Sequence, residues 1–175
     1  MLLARNGARV LIVDREKVIG DTLSTHALMR PAVTLLDRWG LLDQITSQGT
    51  PAVRHTQFHY GDTSLTVPVK PVGNAEGLYA PRRWLLDRIV GDAAVNAGAE
   101  LRTGTNLVSL LRNGSGRVIG ATLRHPDGTT QDVLAGIVIG ADGRNSMIAK
   151  CVVAPVIRQS KSRSATVYTY IEGLP

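Results

Sequence analysis

Hydrophobic positions follow two rhythms along this chain. Val10, Leu11, Ile12 and Val13 are four consecutive large apolar residues between Arg9 and Asp14-Arg15. Such a run predicts a strand buried on both faces, as in the middle of a parallel sheet. Before it, Met1 to Asn6 reads as the last turns of a helix closed by Gly7. After it, Pro31 suits the first turn of a helix whose apolar face is Val33, Leu35, Leu36 and Trp39. Gly40 ends that helix and Leu41 to Ser47 forms a short second one. The strongest helical spacing is Leu85, Leu86, Ile89, Val90, Ala93, Ala94 and Ala97, capped by Gly98. Ala99 to Arg102 follows as another parallel strand.

Elsewhere the pattern is that of short strands and turns. Phe58 to Tyr60, Gly61-Asp62 and Leu65 to Val67 predict a hairpin. Leu107 to Leu111, Val118 to Arg124 and Thr130 to Leu134 predict a three-stranded meander, turned at Asn113 to Gly116 and at Pro126-Asp127-Gly128. Ile137-Val138-Ile139 reads as a short, fully apolar strand, with a helix from about Ser146 to Lys150 beyond it and a further strand at Ala165 to Ile171. Helices alternating with parallel strands, plus separate β-rich stretches, predict an α/β fold. No internal repeat is present.

Composition narrows the class. A chain of 175 residues with 43% apolar content can bury a core. No apolar run approaches the ~18 residues of a membrane span. Arg5 and Arg9 interrupt the N-terminal apolar stretch, so no secretory signal is read there. The one cysteine, Cys151, forms neither an internal disulfide nor a metal cluster, and a cytoplasmic location is expected. The net charge is +6, from 20 basic and 14 acidic residues. The basic residues are scattered and aromatics are few, so nucleic-acid binding is not expected.

Chemistry concentrates at strand ends. Asp14 closes the first apolar strand. In a dinucleotide-binding βαβ unit, the acid ending the second strand accepts hydrogen bonds from ribose hydroxyls. The glycine-rich phosphate loop belongs roughly 20 residues earlier, yet thirteen residues precede Asp14 and hold no such motif. Residues 15 to 30 form a polar loop with Gly20, Asp21, Ser24, Thr25 and His26. After Ile139 comes Gly140-Ala141-Asp142-Gly143-Arg144-Asn145-Ser146, a strand-end turn where sheets of this class bind ligands. A purely structural alternative makes Asp142 the cap of the following helix. His55 and His59 have a metal-like spacing only on a helix. The local alternation there predicts a strand, so no metal site is expected.

Taken in order, the segments Arg9 to Arg15, Asp21 to His26, Pro81 to Asp87 and Val138 to Ser146 resemble the FAD-dependent monooxygenases and related oxidoreductases of the para-hydroxybenzoate hydroxylase fold. That class includes geranylgeranyl-reductase-like proteins. The resemblance covers nearly the whole chain. It implies an FAD-binding Rossmann-like domain with a three-stranded β-meander and the start of a β-rich substrate domain, to which residues 51–80 and 155–175 belong. It implies FAD as cofactor, NAD(P)H as electron donor and a small aromatic or polyprenoid-like substrate. Asp14 would bind the adenosine ribose, with Arg15 beside it. The loop carrying Ser24 and His26 would lie along the flavin, and Arg83 would reach the FAD from the side. The Leu107 backbone would meet the adenine. Asp142 and Gly143 would serve the pyrophosphate region and the pyridine nucleotide. A cation at Arg82 or Arg83 suits a diphosphate. Gly91-Asp92-Ala93-Ala94 spells another motif of the family, but it lies inside the long helix and reads as helix surface and core.

Against that frame the first strand and its glycine loop are lacking. The Val10–Val13 strand is then expected to carry an unpaired apolar edge that invites self-association. The chain is expected to be a fragment that binds FAD weakly or not at all by itself. Two other readings stay open: a non-catalytic remnant or interaction module, and a nicotinamide-dependent dehydrogenase. The second explains Asp14 but neither the Arg82-Arg83 helix nor the late Gly-Ala-Asp-Gly.

Overall fold

A computed structural model describes residues 1–22, 24 and 27–160. In chain order the elements are α1 (Leu2–Arg5), β1 (Leu11–Val13), α2 (Arg30–Arg38), α3 (Leu42–Thr46), β2 (Ala52–Val53), β3 (His55–Tyr60), β4 (Thr63–Pro68) and β5 (Leu78–Tyr79). They continue with α4 (Arg83–Asn96), β6 (Glu100–Arg102), β7 (Asn106–Arg112), β8 (Val118–Arg124), β9 (Thr130–Leu134) and α5 (Met147–Cys151). The expected strand at Ala165 to Ile171 lies outside the described residues.

β1 and β6 form a parallel pair with Leu11 opposite Glu100 and Val13 opposite Arg102. The crossover between them ends in α4. That helix closes where Gly98 takes φ +95, so that its amide and that of Ala99 bond back to the carbonyls of Val95 and Ala94. A side chain rarely tolerates that backbone shape, which is why glycine stands there. Alternation along β1 puts Val10 and Ile12 against a small core of Ala4, Ala94 and Ala99. Leu11 to Val13 are nevertheless only half-buried. The expectation of a strand covered on both faces is therefore corrected: α1 and α4 cover one face, and β6 pairs one edge.

The main core lies where α2, α3 and α4 meet β5. Val33, Leu36, Ile45, Tyr79, Leu85 and Ile89 are buried in it. At about 25 cal/mol per Å² of apolar surface, this cluster holds the helices in place. Leu35, assigned to the apolar face of α2, is 40% exposed. Val33 and Leu36 already fill the stripe facing α3, and Leu35 lies about 100° round the helix from Leu36.

The hairpin β3–β4 and the antiparallel meander β7–β8–β9 form as predicted, and β2 pairs with β5. Ile137 to Ile139 do not form a strand. Ile137 is 79% and Ile139 68% exposed. An apolar run becomes a strand only when a neighbouring backbone accepts its N–H and C=O groups. No strand among the described residues does so here. Among those residues no helix is long and apolar enough to cross a membrane.

Candidate functional site

The C-terminal end of the parallel pair is fastened by backbone bonds. The amide of Asp14 donates to the Arg102 carbonyl at 3.0 Å, and the Asp14 carbonyl accepts from the Thr105 amide at 2.9 Å. Gly104 donates to the Glu16 carbonyl at 2.9 Å. Leu107, at the start of β7, lies two residues beyond Thr105. It is opposite Leu123, next to a register shift in the ladder. The Thr105 bond thus ties the Asp14 end of β1 to the β6–β7 connection, two residues before Leu107, which belongs to the separate β7–β8–β9 sheet. The Asp14 side chain is exposed. Its Oδ1 accepts the Glu16 amide at 2.9 Å. Its Oδ2 makes no hydrogen bond among the described residues, leaving an acceptor open to a hydroxyl. Arg15 is solvent-exposed and pairs with Glu16 at 3.1 Å.

A second locus lies at the start of α4. Ser24 and Arg83 line a cleft of about 290 Å³ with Ala27, Leu28, Pro81, Leu86 and Asp87. The loop's exit is fixed by the Leu28 amide, which donates to the Tyr79 carbonyl at 2.7 Å. His26 lies outside the described residues. The Arg83 guanidinium is held by Asp87 through Nε at 2.9 Å and Nη2 at 2.7 Å. Asp87 first of all, and Asp21 at longer range, raise the Arg83 pKa.

Arg82 is paired as well. The Asp21 carboxylate accepts its Nε–H at 2.6 Å and also its Nη2, together with the Trp84 amide at 3.4 Å. Arg82 is the N-cap residue of α4 and supplies no side-chain cap, so Asp21 takes that place from another part of the chain. The Arg82 hydrogen bond, followed by the amides at the helix start, holds Asp21 below its ordinary pKa. The cation expected at Arg82 or Arg83 for a diphosphate thus comes with an acid beside it in both cases.

At the third locus the structural alternative for Asp142 is realised. Its Oδ1 accepts the Ser146 hydroxyl at 2.5 Å and its Oδ2 accepts the amides of Met147 and Ile148 at 2.6 and 3.2 Å. Ser146 itself caps Ala149 at 2.9 Å. The Ser146 bond is the main cause of the lowered Asp142 pKa. Gly143 carries the turn at φ +84. Arg144 beside it is exposed and makes no ion pair among the described residues. α5 is tied to the meander where Arg112 donates to the Cys151 carbonyl at 3.0 Å.

The sequence assigns neither Asp21 nor Asp87 an arginine partner. The i,i+4 spacing from Arg83 to Asp87 could have revealed one of them. The other is a contact over 61 positions. His55 and His59 lie in β3, and no group of metal-ligating side chains occurs among the described residues.

The donor set fits part of a dinucleotide. An open carboxylate oxygen at a parallel strand end suits a ribose, and a half-apolar cleft with a fixed guanidinium suits a flat ring system.

Comparison with known proteins gives the family. A family model described as an FAD binding domain matches residues 1–171. Digeranylgeranylglycerophospholipid reductase 3 of Methanosphaera stadtmanae is 26% identical over 153 residues, covering 84% of this chain and 36% of the reductase. Aklavinone 12-hydroxylase RdmE of Streptomyces purpurascens is 28% identical over 165 residues, covering 85% and 31%. Among solved structures, a ternary complex of aklavinone-11 hydroxylase with FAD and aklavinone superposes with a TM-score of 0.66 at 26% identity, covering 87% of this chain and 31% of that one. The chain thus spans about a third of the length of these relatives. On the match over residues 1–171, the chain belongs to the FAD binding domain family, whose members resembled here are FAD-dependent oxidoreductases and monooxygenases.

Proposed function

We propose that the chain contributes the nucleotide-binding part of an FAD-dependent oxidoreductase. The reaction is a hydroxylation or a reduction that draws electrons from NAD(P)H. The substrate is a small organic molecule, aromatic or polyprenoid-like, as the names of the hydroxylase and reductase relatives suggest. Bound FAD supplies the redox chemistry; the protein binds and orients.

Asp14 Oδ2 accepts the adenosine ribose hydroxyls, with Arg15 beside it, and the Leu107 backbone borders the adenine. Ser24, His26 and Arg83 border the flavin. Gly143 lets the turn after Asp142 approach the pyrophosphate region. Asp142 acts there by fixing that turn, since its oxygens hold the start of α5. Residues 51–80 and 155–175 belong to the substrate side. A cytoplasmic location suits a single unpaired cysteine, and the edge of β1 is where two copies would associate.

The observation that carries this reading is the open Asp14 carboxylate at the C-terminal end of a parallel strand, beside the β6–β7 connection. An equilibrium titration with FAD, followed by flavin fluorescence, tests it. Dissociable binding that Asp14→Ala weakens is expected. Flavin fluorescence unchanged at high FAD concentration, or FAD bound equally by Asp14→Ala, contradicts the adenosine site assigned to this chain.

A further inference from the structure

The Arg83–Asp87 pair is built unlike a surface ion pair. Both nitrogens on one side of the guanidinium, Nε and Nη2, meet the two carboxylate oxygens, a bidentate fork that fixes the plane. The pair is about two-thirds buried, the side chains being 28% and 33% exposed. Apolar Ala27, Leu28, Pro81 and Leu86 line the same cleft. The remaining nitrogen of Arg83, Nη1, makes no hydrogen bond among the described residues. Asp87 is thus both the neutraliser of Arg83 and its clamp. A phosphate entering here would meet Asp87 as well as Arg83, and like charges repel in a half-buried site. A neutral carbonyl on a flat ring meets an oriented N–H donor without that repulsion.

We infer that Asp87 is a positioning residue: it holds Arg83 so that Nη1 donates to a neutral carbonyl of a flat ring, the flavin, in this cleft. The inference rests on the flavin reading above. It adds a role for Asp87 and a division of labour between neighbouring arginines. Arg82 is tied to Asp21 at the helix start, and Arg83 serves the ring.

The sign of one substitution decides it. Asp87→Asn makes the cleft more positive. If Asp87 merely offset charge, anionic FAD would bind more tightly to the variant. If Asp87 orients Arg83, FAD and riboflavin both bind about tenfold more weakly, the size of one charge-assisted hydrogen bond. ADP, which has the phosphates and no ring, binds unchanged, and Asp87→Glu restores most of the loss. Unchanged or tighter FAD binding by the Asn variant, or an equal loss for ADP, overturns the inference. A ligand-free reading separates it from the function itself. The ¹⁵N-detected Arg83 Nε–H exchanges slowly in the full chain and in Asp87→Glu, and fast in Asp87→Asn; equal exchange in all three overturns it. A wild-type chain that binds no FAD sinks the flavin reading, while the exchange result still decides whether Asp87 positions Arg83.

Discussion

The Asp21 carboxylate accepts the Nε–H of Arg82 at 2.6 Å across 61 positions of sequence. The same carboxylate takes the Trp84 amide at 3.4 Å, so one loop side chain both neutralises an arginine and caps a helix. The loop and α4 are therefore fixed to each other by a single group, and its ionisation can be followed. The folded pKa of Asp21 is depressed below 3.8, first by the Arg82 hydrogen bond. A depressed carboxylate stabilises the fold above its unfolded pKa, and that contribution disappears as pH falls through the folded value. Asp21→Asn should thus be less stable than wild type at neutral pH, with the gap closing below pH 3.8. Urea melts of both proteins at neutral and strongly acid pH check this; a gap that stays constant with pH contradicts it.

Val153 is the described non-glycine residue with positive φ, at +52, and it is 86% exposed. It follows the last turn of α5, where the Val153 and Ala154 amides bond back to the carbonyls of Lys150 and Ala149. This is the position that glycine fills after α1 and α4. A β-branched side chain there is strained, and solvent returns no packing. Val153→Gly should stabilise the α5 region by about 1 kcal/mol. Slower amide exchange in residues 147–152 would show it, and faster exchange would contradict it.

Two glycines in family-like motifs should respond oppositely to alanine. A Cβ at Gly91 meets only Ile19 Cδ1 at 3.8 Å and Leu101 Cδ2 at 3.9 Å, ordinary contacts. Gly91→Ala should raise stability by about 0.8–1 kcal/mol through helix propensity, with FAD affinity unchanged. A Cβ at Gly140 falls 2.9 Å from Ile148 Cγ2. Gly140→Ala should push α5 off the turn and lower the thermal midpoint. Calorimetry on the two variants separates them, and a loss of stability in Gly91→Ala would mean that this glycine has a role beyond the helix.

Ser146 tests the turn at Asp142 without touching the carboxylate. Its hydroxyl caps the Ala149 amide and bonds Asp142. Ser146→Ala should cost about 1 kcal/mol, the usual value of an N-cap, and should raise the Asp142 pKa toward its ordinary value because the leading cause of its depression is gone. Carboxylate titration by NMR reads the shift directly; an unmoved Asp142 contradicts the assignment.

Much of this architecture could be read from periodicity, because alternation and helical spacing are local properties. The long helix, the meander and the strands β1 and β6 appear within two residues of their expected bounds, and the first hairpin strand starts at His55, three residues before its expected start. What periodicity could not supply is pairing. Ile137 to Ile139 have strand composition and no partner among the described residues. The Asp21 cap and the charge state of the Arg82-Arg83 step depend on contacts that no local window contains. Asp142 illustrates the same limit. Its place after an apolar run suggested ligand binding, and its side chain is instead spent on α5. Asp14 is legible because strand end and carboxylate are adjacent in sequence.

The central claim is that Asp14 at the end of β1 holds the adenosine part of FAD. The most direct measurement is an FAD titration of the full chain and of Asp14→Ala, read by flavin fluorescence, with riboflavin as the probe that lacks adenosine. The account predicts dissociable FAD binding that is weakened about tenfold or more by Asp14→Ala, with riboflavin binding equal in both. FAD bound equally well by both proteins, or by neither, would contradict it.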